Sequence, residues 1–370
     1  MKPADIRFMR LCLEKAAGGA GRVSPNPLVG AAVVRSGRLI ASGHHARFGG
    51  RHAEVVALRR AGARARGATL YVTLEPCAHH GKTPPCVEAI VASGIRRVVA
   101  AMGDPHPLVD GRGFRALRRA GVTVSRGTLA PEARELNEAY VTALREGRPM
   151  VTLKAGMSLD GKTATAAGES RWITSEASRR AGHRLRAAHD AILVGIGTAL
   201  ADDPRLSVRG RASGRQPLRV VLDSRLRLPD RARMLRSAGG EVIIYTAGSS
   251  RRKGRLEKEG ARVIRAGRGR GGVNLGRVLR DLAGRGVHSL LVEGGSEVAW
   301  SFLRARLVDR IAFFIAPRIL GGRESIPVVG GDGARRLSDG FKVRALRAGL
   351  IGGDLLLTGR VGSGRLPRQG

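Results

Sequence analysis

The segment His52-Ala53-Glu54 sets an imidazole and a carboxylate two residues apart, and two thiols follow at Cys77 and Cys86, introduced by Pro76 and by the pair Pro84-Pro85. One imidazole and two thiolates can hold a zinc ion through bonds of roughly 2.0–2.3 Å, leaving the fourth corner of the tetrahedron open. An open corner marks a catalytic zinc, because a water there ionises near a pKa of ~7. Glu54 is placed to take the proton of that water and pass it to a leaving amine. Taken singly, His52 reads as a core or surface histidine and the cysteines as small buried apolar residues. The four together, in the order His-x-Glu, strand, Pro-Cys, Cys at a helix start, are too specific for that account. Cys12 lies on an apolar helical face and reads as structural.

These residues need a scaffold to converge. A helix is expected from Asp5, as its cap, to about Ala17, with Ile6, Met9 and Leu13 on one face and Gly18-Gly19 at its end. Strands are expected at 28–35, 38–42, 69–74 and 97–102, and helices near 52–61 and 85–93. A helix–strand pair fits 111–125, and Pro131 opens a helix running to about Glu146. Gly147-Arg148-Pro149 reads as a linker. Beyond it, strands are expected at 150–155, 191–195, 218–222, 241–246, 262–265, 289–293, 309–316 and 354–360, with helices at 175–187 and 297–305. The Gly- and Arg-rich stretch 266–273 reads as a surface loop. Two layered α/β domains follow, at 1–146 and 150–362.

Composition narrows the class. With 42% hydrophobic and 26% charged residues over 370 positions, each domain can bury a core, which excludes a disordered or fibrous chain. No run approaches the ~18 apolar residues of a membrane-spanning helix. Charged residues throughout positions 5–15 exclude a secretory leader, so a cytoplasmic protein is expected, with its three cysteines serving as ligands or core residues. The net charge is +36, and arginine supplies 58 of the 66 basic side chains. Such a charge could serve nucleic acid. Dispersed arginines and only 3% aromatics favour a solvated, arginine-biased surface that suits small anions such as phosphates.

The His-x-Glu and Pro-Cys pattern is that of zinc deaminases, but nucleic-acid deaminases place two residues between the cysteines, whereas eight intervene here. The run Glu75-Pro76-Cys77-Ala78-His79-His80-Gly81-Lys82-Thr83-Pro84-Pro85-Cys86 resembles the bifunctional deaminase–reductases of riboflavin biosynthesis. So do Pro25-Asn26-Pro27-Leu28-Val29-Gly30, Gly43-His44-His45 and Gly103-Asp104-Pro105-His106-Pro107. In the second half Lys154 to Lys162, Gly168 to Thr174, Gly197 to Leu206 and Val292 to Ser296 resemble the reductase half of the same family, in its order. The resemblance implies a cytidine-deaminase-like α/β/α domain followed by a dihydrofolate-reductase-like α/β domain. It implies one zinc per chain on His52, Cys77 and Cys86, Glu54 as proton shuttle, and NADPH as reductant. It further implies that Asn26, His44, His79, Lys82 and Thr83 surround a phosphorylated pyrimidine. Gly156, Trp172, Thr198, Asp202 and the run Gly295, Ser296, Glu297, Val298, Ala299, Trp300 and Ser301 would line the cofactor. Ser170, Arg186, Leu206, Arg209 and Glu293 would line the substrate.

Physical features support the carry-over. Glycines after strand ends let backbone approach a pyrophosphate, a helix after Gly294-Gly295 favours anions, and Ser296 is placed to cap it. Alternatives stand for Trp172, as a core residue, and for Asp202-Asp203-Pro204, as a turn ending a helix. No general acid for the reduction stands out, with Asp202 and Lys154 as candidates. The reading is of a deaminase acting on 2,5-diamino-6-(5-phosphoribosylamino)pyrimidin-4-one and a reductase that yields 5-amino-6-(5-phosphoribitylamino)uracil. A small-molecule substrate, no nucleic-acid or membrane partner, and a homo-oligomer are expected. The rivals are a nucleic-acid deaminase with a basic binding domain, supported by the charge and opposed by the long cysteine loop, and a degenerate scaffold, opposed by an intact ligand set.

Overall fold

The structure, a computed structural model, describes residues 2–81, 84–208 and 215–362. The chain divides into two compact units, Met1–Gly147 and Arg148–Gly370.

The first unit runs α1 (Pro3–Ala17), β1 (Gly30–Arg35), β2 (Arg38–His44), α2 (Ala53–Ala61), β3 (Thr69–Leu74), α3 (Cys86–Ala92), β4 (Arg97–Met102), α4 (Arg112–Arg119), β5 (Thr123–Arg126), α5 (Ala130–Leu136) and α6 (Glu138–Glu146). Its strands form one sheet in the order β2-β1-β3-β4-β5, with β3, β4 and β5 parallel. Strand side chains alternate between the two faces. Ala31, Val33, Leu70, Val72, Val98 and Ala100 therefore pack under α2, α3 and α4, and Ala32, Val34, Tyr71, Val99 and Ala101 under α1 and α5. That sandwich leaves the central strands largely apolar, as a sheet covered on both faces favours.

Two details depart from expectation. Pro3 begins α1 one turn early, so Asp5 does not cap it. Its buried carboxylate instead accepts a hydrogen bond from the Tyr71 hydroxyl at 2.7 Å and a forked pair from Arg97 at 3.1 and 2.9 Å. The helix expected at 131–146 is two helices broken at Asn137, whose carboxamide is drawn away to both backbone groups of Leu28.

The second unit runs β6 (Met150–Met157), β7 (Lys162–Ala164), α7 (Glu176–Ala188), β8 (Ala191–Gly195), α8 (Ile196–Asp202), β9 (Leu218–Leu222), α9 (Arg233–Arg236), β10 (Val242–Thr246), α10 (Lys253–Lys258), β11 (Ala261–Arg265), β12 (Arg268–Gly269), β13 (Gly272–Val273), α11 (Leu275–Gly284), β14 (Ser289–Val292), α12 (Ser296–Arg304), β15 (Arg310–Ile315), β16 (Ile326–Pro327), β17 (Val343–Ile351) and β18 (Asp354–Val361). Nine strands form one sheet in the order β11-β10-β9-β8-β14-β6-β15-β18-β17. Helices α11 and α12 cover one face, while α8, α9 and α10 cover the other. The connection from β8 leads to β9 on one side and that from β14 leads past β6 to β15 on the other, so the chain changes winding direction between β8 and β14. Open α/β sheets bind ligands at such a point, beyond the carboxyl ends of the strands.

The stretch 266–273 forms the small hairpin β12–β13, with Arg268, Arg270 and Gly271 exposed. Helix α11 was legible in principle, since Leu275, Val278, Leu279 and Leu282 recur at helical spacing and Asn274 caps it through Arg277 N. Edge strand β17 carries no alternation, because all but its last residue are exposed.

Replacing Asp5 with Ala strands the buried Tyr71 hydroxyl and the Arg97 guanidinium together. The expected cost is about 2–3 kcal/mol, read as a fall in the first unit's unfolding free energy in urea.

Candidate functional sites

Three elements deliver the candidate zinc ligands. His52 precedes the first residue of α2, Cys77 lies in the loop leaving β3, and Cys86 is the first residue of α3. His52 Nδ1 lies 3.1 Å from Cys86 Sγ and 3.6 Å from Cys77 Sγ, and the three donor atoms all lie within 4.8 Å of one another. A tetrahedral zinc holds such donors roughly 3.6–3.8 Å apart, so the set fits the ion. The hydrogen bond from the Cys86 thiol holds the Cys77 thiol well below the usual thiol range, and His52 adds to it. The hydrogen bond to Cys77 and burial push Cys86 upward.

Glu54, in the first turn of α2, is only 3% exposed, and its Oε2 has no hydrogen-bond partner among the described residues. Burial raises its carboxyl above the ordinary range, partly offset by the neighbouring His52. An unpaired, desolvated carboxylate oxygen is costly unless a ligand meets it.

The histidine beside this group is His45 rather than His44. His44 closes β2, and the next residue turns to the opposite side. His45 is buried, and its ring lies edge-on to that of His52 with centroids 5.6 Å apart. Its Nδ1 donates to the Arg51 carbonyl at 3.0 Å, so Nε2 accepts from Asn26 Nδ2 at 3.0 Å. Burial keeps the His45 ring below the usual histidine range and therefore neutral. Its partner on Asn26 leaves the Asn26 carboxamide oxygen to face another group. His44 lies instead against Gly18. His79 stacks on His106 with ring centroids 6.2 Å apart, and its buried Nδ1 has no partner among the described residues. Lys82 and Thr83 lie outside the described residues.

In the second unit a cleft of about 1030 Å³ opens at the change of winding. Gly156, Ser170, Trp172, Arg186, Thr198, Asp202, Leu206, Glu293 and the run Gly295 to Ala299 all line it. Glycine at 195 and 294 lets the two strand ends meet the helix, since a Cβ at either would fall within 3 Å of Val298. A Cβ at Gly295 would fill the space 3.2 Å from Thr198 Oγ1. Trp172 is 63% exposed, which excludes the core alternative, and the Arg179 guanidinium sits 4.4 Å over its ring. Asp202 ends α8 and engages Arg171, so the turn reading and the cleft reading both describe it.

Arg186 and Glu293 form a half-buried ion pair, with Nη2 2.6 Å from Oε2 and Nε 3.0 Å from Oε1. Burial pushes Glu293 upward, but Arg186 and Lys154 outweigh it and hold the carboxyl at about 2.

Two expected lining residues fall elsewhere. Trp300 and Ser301 stand one helical turn beyond Ser296 and Glu297, about 6 Å further along α12, and neither lines the cleft. Trp300 packs on Gly331 and edge-on to Phe341, and Ser301 lies near Gly271. Ser296 is the first residue of α12 and does not cap it. Arg209 lies outside the described residues. Lys154, one of the two candidate acids, lines the cleft, and so does His183, a placement that no local sequence signal announces.

Known proteins share both halves. The cytidine and deoxycytidylate deaminase zinc-binding region matches residues 2–102, and the RibD C-terminal domain matches residues 149–357. The riboflavin biosynthesis protein RibD of Aquifex aeolicus is 43% identical over 96% of this chain and 98% of its own. A solved RibD structure from Acinetobacter baumannii superposes with a TM-score of 0.89 at 36% identity, covering 97% of this chain and 99% of that one. The diaminohydroxyphosphoribosylaminopyrimidine deaminase/5-amino-6-(5-phosphoribosylamino)uracil reductase of Thermotoga maritima gives 0.85 at 38% identity, over 97% and 99%. Such likeness along the whole length, joined to a convergent His/Cys/Cys group, makes the chain a member of the RibD family, a bifunctional deaminase and reductase of riboflavin biosynthesis with a zinc-binding deaminase half.

Proposed function

We propose that residues 1–146 deaminate 2,5-diamino-6-(5-phosphoribosylamino)pyrimidin-4-one and that residues 150–362 reduce the ribosyl group of the product to give 5-amino-6-(5-phosphoribitylamino)uracil. The observation that carries the first step is the unpartnered, buried Oε2 of Glu54 beside three converging donor atoms. His52, Cys77 and Cys86 hold the zinc, which supplies Lewis acidity that makes water nucleophilic near neutral pH. Glu54 Oε2 takes the proton of the attacking water and returns it to the departing ammonia. Asn26, oriented by His45, accepts a hydrogen bond from the pyrimidine, and His79 forms the wall. Lys82 and Thr83 belong to this substrate group by their place in the same loop.

The reductase unit takes NADPH, which supplies hydride. Gly156, Trp172, Thr198, Asp202 and Gly295 to Ala299 position it at the strand ends. Ser170, Arg186, Leu206 and Glu293 hold the substrate beside it, with Arg209 as a further phosphate partner. Lys154 is the better proton donor of the two candidates. Its ammonium lies in the cleft within the field of Glu293, whereas the Asp202 carboxylate is engaged by Arg171. Among the described residues no helix is long and apolar enough to cross a membrane, in keeping with a cytoplasmic enzyme on a small phosphorylated substrate. The chain works as a homo-oligomer, with a second copy covering β17, where Leu346 and Leu350 stand 57% and 80% exposed on an unpaired sheet edge.

Given the diaminopyrimidine nucleotide, the enzyme is expected to yield a product heavier by about one mass unit without NADPH and about two more with it. The Glu54→Gln variant keeps its zinc and its reductase step while deamination falls by about 10²–10⁴-fold; deamination near the wild-type rate in that variant refutes the shuttle. Glu293 titrates lower folded than unfolded, so the stability from its pair with Arg186 is full above the ordinary carboxylate value of ~4.3. That stability is lost as pH falls through about 2. Accordingly, Glu293→Gln flattens the acid limb of a plot of melting temperature against pH. Light scattering on a Leu346→Lys, Leu350→Lys double variant checks the assembly, with a monomer expected in place of the wild-type oligomer.

A further inference from the structure

We propose that Glu75 is a positioning residue for the metal centre, because its carboxylate clamps the Cys77 loop to the start of α4. The inference rests on the zinc reading above and deepens it. Glu75 follows directly after β3 and is only 4% exposed. Its Oε1 accepts from Phe114 N at 3.1 Å, and its Oε2 accepts from Gly111 N at 3.1 Å and Asp104 N at 3.3 Å. Helix α4 has no capping side chain of its own, with Gly111 in the cap position. Glu75 therefore caps it from 36–39 residues away, placing a carboxylate where helix amides are unpaired and the dipole is positive.

The clamp bears on the metal loop through a short, stiff path. Only Pro76 separates Glu75 from Cys77, and proline has little backbone freedom. Helix α4 sits hard on that proline, since a Cβ at Gly113 would lie 1.9 Å from the Pro76 carbonyl oxygen. On its other side Cys77 is tied to α3, its carbonyl accepting from Val87 N at 3.2 Å and its Sγ from Cys86 N at 3.4 Å. The same carboxylate steadies the substrate wall. Asp104, held by Glu75 through its amide, accepts from His106 N at 2.9 Å, and the His106 ring stacks on His79. Partners that orient metal ligands in this way typically govern about 10–100-fold in metal affinity.

The test uses the full chain and two variants. Glu75→Gln keeps the shape and one acceptor oxygen but turns an amide toward backbone N–H groups, and Glu75→Leu removes both acceptors. Zinc affinity is read by competition with a chelator of known strength, alongside kcat and KM for deamination and the reductase rate. The Asp5→Ala variant, which breaks contacts between α1 and the sheet, controls for general loosening of the same unit. Glu75→Gln is expected to weaken zinc binding by about 10–100-fold and to lower the deamination kcat far more than it changes KM, with the reductase step intact. Asp5→Ala is expected to melt lower yet keep its zinc affinity. Wild-type zinc affinity in Glu75→Gln, or equal loss in Asp5→Ala, overturns the positioning role. Absence of zinc from the wild-type chain overturns the reading of the site itself.

Discussion

Two thiols, an imidazole and a dry carboxylate crowd into one corner of the first unit, and that crowding is the constraint on which the rest of its architecture depends. Such a group is unfavourable by itself, because burial and the charge of Cys77 oppose the charged forms of Cys86 and Glu54. A divalent cation reverses the balance. The ligands lie 25 and 34 residues from His52, so no local structure can gather them. Strand β3 between β1 and β4, with α2 and α3 packed on one face, brings their three chain segments together.

The second unit solves a different problem. A nicotinamide cofactor and a nucleotide-like substrate need a long cleft, and a parallel sheet that changes winding direction supplies one. The backbone must come close there, which explains the glycines at 195 and 294. Arg186 and Glu293 line that cleft as a forked ion pair.

A common device recurs in both units. Acidic residues number 30 against 66 basic ones, and the buried acids are used largely on backbone amides. Glu75 caps α4, Asp190 accepts from His288 N and Ser289 N, Asp223 accepts from Leu228 N, and Asp354 accepts from Ser175 N at the start of α7. In a chain this rich in arginine, a carboxylate aimed at main-chain N–H groups holds loops without competing for the surface cations. Arg219 does the converse, collecting the carbonyls of Met234 and Gly240.

The ligand set, Glu54, the strand–helix alternation and the glycine-flanked cleft residues were legible in the sequence, because each depends on residue type and near spacing. What needed the tertiary structure was direction. His45 rather than His44 meets His52, since one residue past the end of a strand reverses the side a ring faces. Trp300 and Ser301 leave the cleft because α12 carries them a full turn past the strand ends, where Trp300 meets Gly331 and Phe341. Asp5 reaches Tyr71 and Arg97, and Glu75 reaches α4, across separations that leave no local trace. Spacing along a chain encodes which groups are available; register, the placement of each helix and long-range hydrogen bonds decide which of them face one another.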